Sequence, residues 1–116
     1  MPSITHLLPV RNGEKFILDI LETIKKNAEK GDEILVIDDG SQDRTPHLIE
    51  TFTNTYPDIR VIRTEGLGLV RALNLGFQES AGSWVARYDA DDRYPQDRIA
   101  KQRELIANDV AVIFSD

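Results

Sequence analysis

The sequence predicts a doubly wound α/β domain, in which helices flank a mostly parallel β-sheet. Short apolar runs alternate with segments whose apolar residues recur at helical spacing, as in successive βαβ units. In addition, residues 33–37 form an almost unbroken apolar run, typical of strands that are buried on both faces of a parallel sheet. The crossovers between such strands are expected to be right-handed.

The first strand–helix pair is predicted near the amino terminus. Residues 4–10 form a short apolar run that predicts a strand, and the polar residues 11–13 predict a loop. From residue 14 to residue 28 the apolar side chains fall on one helical face. Gly31 suits a position just past the end of that helix.

The second pair begins with the apolar strand at residues 33–37. Residues 38–43 are rich in turn-forming side chains and predict a loop. Thr45 is expected to cap the following helix with Pro46 at its first position. The inner face of this helix is assigned to Leu48, Ile49 and Phe52.

The remaining elements continue the same alternation. Residues 59–62 predict a third strand, residues 65–68 a loop, and residues 84–88 a fourth strand. A helix near residues 99–106 and a fifth strand at residues 110–114 are expected to follow. The interior of the helix between the third and fourth strands is assigned to Leu69, Val70, Leu73 and Phe77.

Composition limits the function classes. The chain has 116 residues, enough for one domain with a hydrophobic core, and its net charge of −6 argues against non-specific nucleic-acid binding. It has no cysteine, no apolar run of about 20 residues, and no signal-peptide pattern at its amino terminus. We therefore expect a cytoplasmic protein without disulfides.

Every polar loop of interest follows a predicted strand. These loops are residues 11–13, 38–41, 65–68 and 89–92. Because the carboxyl ends of parallel strands share one edge of the sheet, we expect these loops to converge on one crevice, where open α/β sheets bind ligands.

The acidic stretch in the fourth loop contains the strongest candidates for binding a metal ion. Asp89, Asp91 and Asp92 follow a buried strand, and carboxylates this close repel one another unless a cation compensates them. Mg²⁺ and Mn²⁺ prefer oxygen ligands and often bridge carboxylates to phosphates. The alternative is a solvated acidic turn, or a preference for Asp at a helix start.

Two further loops contain candidate ligand-binding residues. Asp38 and Asp39 could accept a hydrogen bond from a ligand N–H or a ribose hydroxyl, although Asp-Gly-Ser is also common in turns. Arg71 lies near the start of a predicted helix, where anions are favoured, but it could equally be a surface arginine. The glycines at 66 and 68 do not form the Gly-x-Gly-x-x-Gly dinucleotide fingerprint.

Other reactive side chains favour structural roles. His6 is expected within a strand and His47 at a helix start, far from each other and from the acidic loops. No serine occupies a nucleophile-elbow pattern, so covalent catalysis has no candidate.

Four ordered segments resemble the amino-terminal half of a family 2 glycosyltransferase of the GT-A fold. They are residues 8–14, residues 34–43, residues 66–76, and residues 89–92 together with Pro95 and Arg98. The resemblance implies a nucleotide-sugar-binding domain over residues 1–116, with the acceptor-binding half absent.

The resemblance also assigns residues to the nucleotide. It implies that Pro9, Val10 and Glu14 line the nucleotide pocket. It implies that Asp39, together with Asp38, recognises the nucleobase through a uracil-type ring N–H, so that a uridine-diphosphate sugar is the favoured donor.

The sugar and metal sites follow from the same resemblance. Arg71 would lie near the base or phosphates, Asp89 near the ribose or sugar, and Asp91, with Asp89, would hold Mg²⁺ or Mn²⁺. Arg11 stands where the family often has an aromatic residue, which leaves the choice of nucleotide open.

The implied reaction is metal-dependent transfer of a sugar to an acceptor hydroxyl, saccharide or lipid-linked, with inversion. The catalytic base is expected beyond Asp116. We therefore expect the chain to bind donor without efficient transfer and to self-associate through the face that the absent half would cover. We expect the full-length protein to act in the cytoplasm. An association with the inner face of the membrane is the alternative.

Two other functions remain open at this point. Asp38, Asp39 and Asp89 also resemble the acidic pair and phosphoacceptor of a signalling receiver domain, although a strand and helix precede the pair and no lysine ends a later strand. A nucleotidyltransferase would likewise combine carboxylates with metal and nucleotide, but it would usually have a glycine-rich, basic loop after its first strand.

Overall fold

The computed structural model describes residues 3–88 of the chain. Within this range strands and helices alternate strictly. Their bounds are β1 Ile4–Val10, α1 Ile17–Asn27, β2 Glu33–Asp39, α2 Thr45–Thr55, β3 Arg60–Thr64, α3 Leu69–Glu79 and β4 Trp84–Arg87. The helix and fifth strand predicted beyond residue 98 lie outside the described residues.

The sheet of the described residues has the strand order β3-β2-β1-β4, and every neighbouring pair is parallel. From β1 the chain adds β2 and β3 on one side and then β4 on the other. The strand order therefore reverses between β1 and β4, which makes the fold doubly wound and confirms the predicted fold class.

Side chains alternate between the two faces of the sheet, and each face packs against its own helices. On one face Ile4, Leu8 and Val36 join the inner residues of α1 and α2 in the larger core cluster. On the other, Leu7, Leu35 and Ile37 pack against α3. No helix of the described residues is long and apolar enough to cross a membrane.

Charged side chains at both ends stabilise α1 through its helix dipole. Asp19 lies in the first turn, and Lys25 and Lys26 lie in the last turn. The helix ends at Asn27, because Ala28 is already extended. Gly31 lies four residues beyond that end, in the turn before β2, where its φ of 93° favours glycine.

The structure corrects two assignments in the later helices. Thr45 is the first residue of α2 but makes no capping hydrogen bond. Its backbone N–H donates to Oδ1 of Asp43. In α3, Leu69 and Val70 are 51% and 72% exposed rather than interior. The predicted interior residues Leu73 and Phe77 do pack against the sheet, together with the small, fully buried Ala72.

The segment before β4 passes so close to β1 that glycine is required there. A Cβ at Gly82 would lie 2.5 Å from the backbone nitrogen of Thr5 and 2.8 Å from the carbonyl carbon of Ile4. Gly82 also donates its N–H to Thr5 Oγ1 at 2.8 Å. Neither backbone atom can move without disturbing the pairing of β1 and β4.

We therefore predict that Gly82→Ala lowers the free energy of unfolding by about 1–3 kcal/mol, measured by urea denaturation. Ser83→Ala is the matched control, since Ser83 is the exposed neighbour and its change should stay within about 0.5 kcal/mol. Equal stability of the two variants would contradict the close approach.

Candidate functional site

The loops that follow β1, β2 and β3 meet at one edge of the sheet. Register places Val10 beside Asp38 at the ends of β1 and β2, and Asp39 beside Thr64 at the ends of β2 and β3. On the other side of β1, the N–H of Tyr88 donates to the carbonyl of Leu7 at 2.9 Å and extends the pairing one residue past β4. All four strands are parallel, so their carboxyl ends lie at the same edge of the sheet.

Asp39 is the centre of this edge. The strand β2 continues through Asp39, so the residue lies at a strand end and only 4% of it is exposed, in contrast to the loop position that the sequence predicted. Its Oδ1 accepts the hydroxyl of Thr64 at 2.5 Å and the N–H of Leu67 at 2.6 Å. Its Oδ2 accepts the N–H of Gly68 at 2.9 Å.

These contacts keep Asp39 ionised. Burial by itself raises the pKa of the Asp39 carboxyl, but the hydrogen bonds from Thr64, Leu67 and Gly68 and the positive charge of Arg11 outweigh it. The net pKa lies below its ordinary value. The edge therefore holds a fixed negative charge that organises the loop after β3.

Arg11 is the cation of this edge. It is the first residue after β1, its side chain is exposed, and its guanidinium group lies about 4.0 Å from where a Cβ on Gly66 would be. The guanidinium thus lies over the loop that Asp39 holds, with its donors accessible to a ligand.

Asp38 belongs to the opposite face, since consecutive strand residues project to opposite sides. It is 2% exposed, its Oδ1 accepts the N–H of Ser41 at 3.2 Å, and its Oδ2 lies 4.0 Å from Nε of Arg63. Asp38 therefore shapes the turn after β2, and it does not share a ligand-facing surface with Asp39.

Gly40 allows the loops after β2 and β3 to touch. Its φ is +77°, and a Cβ there would lie 2.8 Å from the backbone nitrogen of Gly66 and 3.2 Å from the carbonyl carbon of Glu65. Any other residue at position 40 would be strained and would push these loops apart.

Asn12 joins the loops after β1 and β2. It adopts a left-handed backbone conformation with a φ of 53°, which Asn tolerates better than most residues. Its N–H donates to Oγ of Ser41 at 2.9 Å, and its Oδ1 accepts the N–H of Gln42 at 2.8 Å. This reciprocal pair fixes the position of both loops.

Asp43 and Thr45 complete the hydrogen bonds between the loops after β1 and β2. The buried Thr45 Oγ1 accepts the N–H of Gly13 at 2.9 Å and so connects the loop after β1 to the start of α2. Asp43 accepts the N–H of Thr45 and, at 3.2 Å, that of Glu14. Burial acts to raise the pKa of Asp43, and these hydrogen bonds lower it overall.

The other predicted site residues are distributed unevenly. Pro9 and Val10 are buried at the end of β1, whereas Glu14 is exposed just beyond Arg11. Arg71 is exposed in the first turn of α3. The remaining predicted site residues, Asp89 and Asp91, lie outside the described residues.

Residues 3–88 contain no group of three or more His, Asp or Glu side chains arranged to hold a metal. His6 is fully buried and hydrogen-bonded inside the protein, and His47 is exposed at the start of α2, away from the edge. Asp38 and Asp39 accept the hydrogen bonds described above and project to opposite faces of the sheet.

Three surface clefts of the described residues lie elsewhere. Their volumes are about 330, 510 and 420 Å³, and they are bounded by the carboxyl end of α1, by α1 with α2, and by α2 with β3. None is lined by residues of the three loops. We place the site at the loop edge because the charged and hydrogen-bonding groups converge there.

The sequence did not reveal the residues that join the loops. Thr64 is one threonine at a strand end and carries no signal of its contact with Asp39. Asn12, Asp43 and Thr45 are typical loop and helix-start residues, and this could have suggested local bonds. Their actual partners are about 30 residues away in sequence, so only the register of the strands brings them together.

Comparison with known proteins gives a consistent family. The sequence model of glycosyl transferase family 2 matches residues 5–115. Glycosyltransferase GlyA of Streptococcus pneumoniae serotype 4 is 33% identical over 96 residues, which cover 83% of this chain and 14% of that protein. Across eight curated relatives the chain spans 14% to 32% of the relative's length.

Two solved structures share the architecture. The mannosyltransferase PcManGT of Pyrobaculum calidifontis, in complex with GDP-Man and Mn²⁺, is 28% identical with a TM-score of 0.81; the match covers 91% of this chain and 32% of that one. Glucosyl-3-phosphoglycerate synthase of Mycobacterium tuberculosis, in complex with Mn²⁺, UDP and glucosyl-3-phosphoglycerate, is 26% identical with a TM-score of 0.62, covering 77% and 33%.

The lowered pKa of Asp39 predicts a pH-dependent stability. A carboxyl whose pKa is depressed by folding stabilises the fold above its unfolded value, here 3.8, and loses this contribution as the pH falls through the folded value. Asp39→Asn should therefore lower the urea-unfolding free energy by about 1–3 kcal/mol at pH 7. The gap to wild type should shrink below about pH 4.

The exposed turn residue Asp58 provides the control. Asp58→Asn should change stability by less than about 0.5 kcal/mol at both pH values. A gap for Asp39→Asn that stays constant between pH 7 and pH 3 would show that the charge of Asp39 is not what stabilises the loop.

Proposed function

The chain belongs to glycosyl transferase family 2, and from this membership we propose that it carries the donor-binding part of an enzyme that transfers sugar from a nucleoside-diphosphate sugar. The observation that carries the proposal is the set of hydrogen bonds that joins the loops after β1, β2 and β3 at one edge of the sheet. A fixed carboxylate, an exposed guanidinium and the start of a helix are held at the carboxyl ends of the parallel strands, the edge at which α/β sheets bind nucleotides.

The nucleobase is proposed to bind at Asp39 and Arg11. Each carboxylate oxygen can accept two hydrogen bonds, and Oδ2 of Asp39 accepts only one from the described protein residues that bond it. A ring N–H of the base could donate to this oxygen. Uracil and guanine both have such an N–H, and the two solved neighbours hold UDP and GDP-Man respectively, so Asp39 is suited to either base.

The diphosphate is proposed to lie toward α3 and the acidic stretch. Arg71 is exposed in the first turn of α3, where the helix dipole also favours an anion. Glu14 is exposed three residues after Arg11 in sequence, whereas Pro9 and Val10 are buried at the end of β1. Asp38 is proposed to act indirectly, by holding the turn that follows it.

A divalent cation, Mg²⁺ or Mn²⁺, fits the donor set that the sequence supplies next to this edge. Asp89 and Asp91 offer carboxylate oxygens, which these ions prefer, and they follow directly on Tyr88 at the switch point. Both solved neighbours contain Mn²⁺. When bound, such an ion neutralises charge on the diphosphate leaving group.

The proposed reaction is direct displacement at the anomeric carbon by an acceptor hydroxyl, with inversion of configuration. The residues of this chain bind the base, orient the diphosphate and hold the sugar next to Asp89. The proton of the acceptor hydroxyl requires a general base. None of residues 3–88 is assigned that role, and family membership favours this reaction over phosphorylation of a receiver domain or nucleotidyl transfer.

Calorimetric titration with UDP and with GDP, each with and without Mn²⁺, tests the proposal. We expect at least one nucleotide to bind more tightly with Mn²⁺. In Asp91→Ala the gain from Mn²⁺ should fall by at least about tenfold, which corresponds to about 1.4 kcal/mol.

Asp92→Ala is the matched control, because Asp92 is the neighbouring carboxylate that we assign to a helix start rather than to the metal. This variant should keep the Mn²⁺ effect. Wild-type metal dependence in Asp91→Ala would remove Asp91 from the site, and absence of nucleotide binding in the wild type would refute the proposed function.

A further inference from the structure

The carboxylate of Asp39 has most of its acceptor positions filled by the protein itself. The group is ionised, since its pKa lies below the ordinary value, so each oxygen only accepts hydrogen bonds and can accept two. Oδ1 accepts the hydroxyl of Thr64 and the N–H of Leu67, and Oδ2 accepts the N–H of Gly68. Counting the donors among residues 3–88, one acceptor position is left for a ligand, and it belongs to Oδ2.

Hydrogen-bond donors surround this remaining position. The N–H groups of Leu67 and Gly68 point at the carboxylate from the loop after β3, 2.6 and 2.9 Å from its oxygens. The exposed guanidinium of Arg11 lies over the same loop, about 4.0 Å from where a Cβ on Gly66 would be, and it carries five N–H donors. A ligand at this edge therefore meets a single acceptor among donors.

Nucleobases differ in the groups that flank their ring N–H, and proteins read unpaired bases along this edge. In uracil and thymine the ring N–H lies between two carbonyl oxygens, so that one donor is flanked by two acceptors. In guanine the ring N–H lies between a carbonyl and an amino group, so that two adjacent N–H groups each need an acceptor. Cytosine and adenine present a ring nitrogen that accepts, which a carboxylate repels.

Guanine would place its amino group against donors of the protein. To accept both of its adjacent N–H groups, Asp39 would need a second unfilled position, but Thr64 and Leu67 fill both positions of Oδ1 and Gly68 fills one of Oδ2. Once the ring N–H of guanine takes the remaining position, the amino group beside it faces an N–H or a hydroxyl. A donor left without an acceptor costs affinity. Uracil has no such group, and its carbonyls face donors.

We propose that the hydroxyl of Thr64 and the N–H of Leu67 determine nucleotide specificity: by filling Oδ1 of Asp39, they select uracil or thymine over guanine. The inference rests on the proposed function, because it places the base at Asp39. It narrows the donor to a uridine- or thymidine-diphosphate sugar. Since the selection comes from the number of acceptor positions and not from the size of the base, it also distinguishes two purines that differ only in the amino group.

Inosine diphosphate (IDP) separates the amino group from the size of a purine. Its base keeps the ring N–H and the carbonyl of guanine and lacks only the amino group. In calorimetric titrations of the wild type with Mn²⁺, we expect IDP to bind about threefold to tenfold more tightly than GDP, because no donor is left without an acceptor. UDP should bind at least about tenfold more tightly than GDP, since its carbonyls also face donors.

Thr64→Val tests the side chain that fills Oδ1. Valine keeps the branched shape of threonine and removes the hydroxyl, so one position on Oδ1 becomes free for the amino group of guanine. We expect the preference for IDP over GDP to fall by about threefold in this variant. Thr53→Val is the matched control: Thr53 is half-buried, and its hydroxyl donates to the carbonyl of Glu50 within α2, so this variant should keep the wild-type preference.

The outcomes separate this inference from the proposed function. If the wild type binds none of the three nucleotides, the proposed function fails. If it binds them, but binds GDP as tightly as IDP or more tightly than UDP, the proposed function stands and the inference is overturned. An unchanged preference for IDP over GDP in Thr64→Val overturns the role of Thr64. Should that variant fail to fold, the comparison of IDP with GDP on the wild type still decides.

Discussion

A buried carboxylate at the end of a central strand must find donors, and in this chain Asp39 finds them in the loop after the neighbouring strand. Three hydrogen bonds from Thr64, Leu67 and Gly68 compensate its burial and hold that loop against the sheet. The path of the loop in turn sets the start of α3 and places Gly66 beneath Arg11. One ionised group thereby connects the ends of β1, β2 and β3.

This constraint explains why the two adjacent aspartates differ. Strand alternation sends Asp38 toward the face of α1 and α2, and Asp39 toward the face of α3. Asp38 closes the turn after β2, and Asp39 holds the loop after β3. The two carboxylates therefore project to opposite faces of the sheet and do not form a joint binding surface.

Much of the fold follows from local sequence, because apolar periodicity reports which face of an element is buried. β1 was predicted with its observed bounds, and α1 and β2 were placed within a few residues. The interior of α3 was assigned correctly at Leu73 and Phe77, which pack against the sheet. It was assigned wrongly at Leu69 and Val70, which are apolar yet exposed. Apolar character indicates burial only on average, and the close approach of α3 to the sheet is a tertiary property.

The site was predicted less completely than the fold, for a related reason. The convergence of loops follows from parallel topology, so the edge itself was predictable, but the partners of Asp39, Asn12 and Thr45 depend on register between strands. The same holds for His6, which the sequence presents as an isolated histidine. Only the pairing of β1 with β4 brings its ring to Tyr88, one residue before the acidic stretch. β1 therefore makes contacts on both of its sides: Arg11, just after its end, lies next to Gly66 in the loop after β3, and His6 is hydrogen-bonded to Tyr88, the residue after β4.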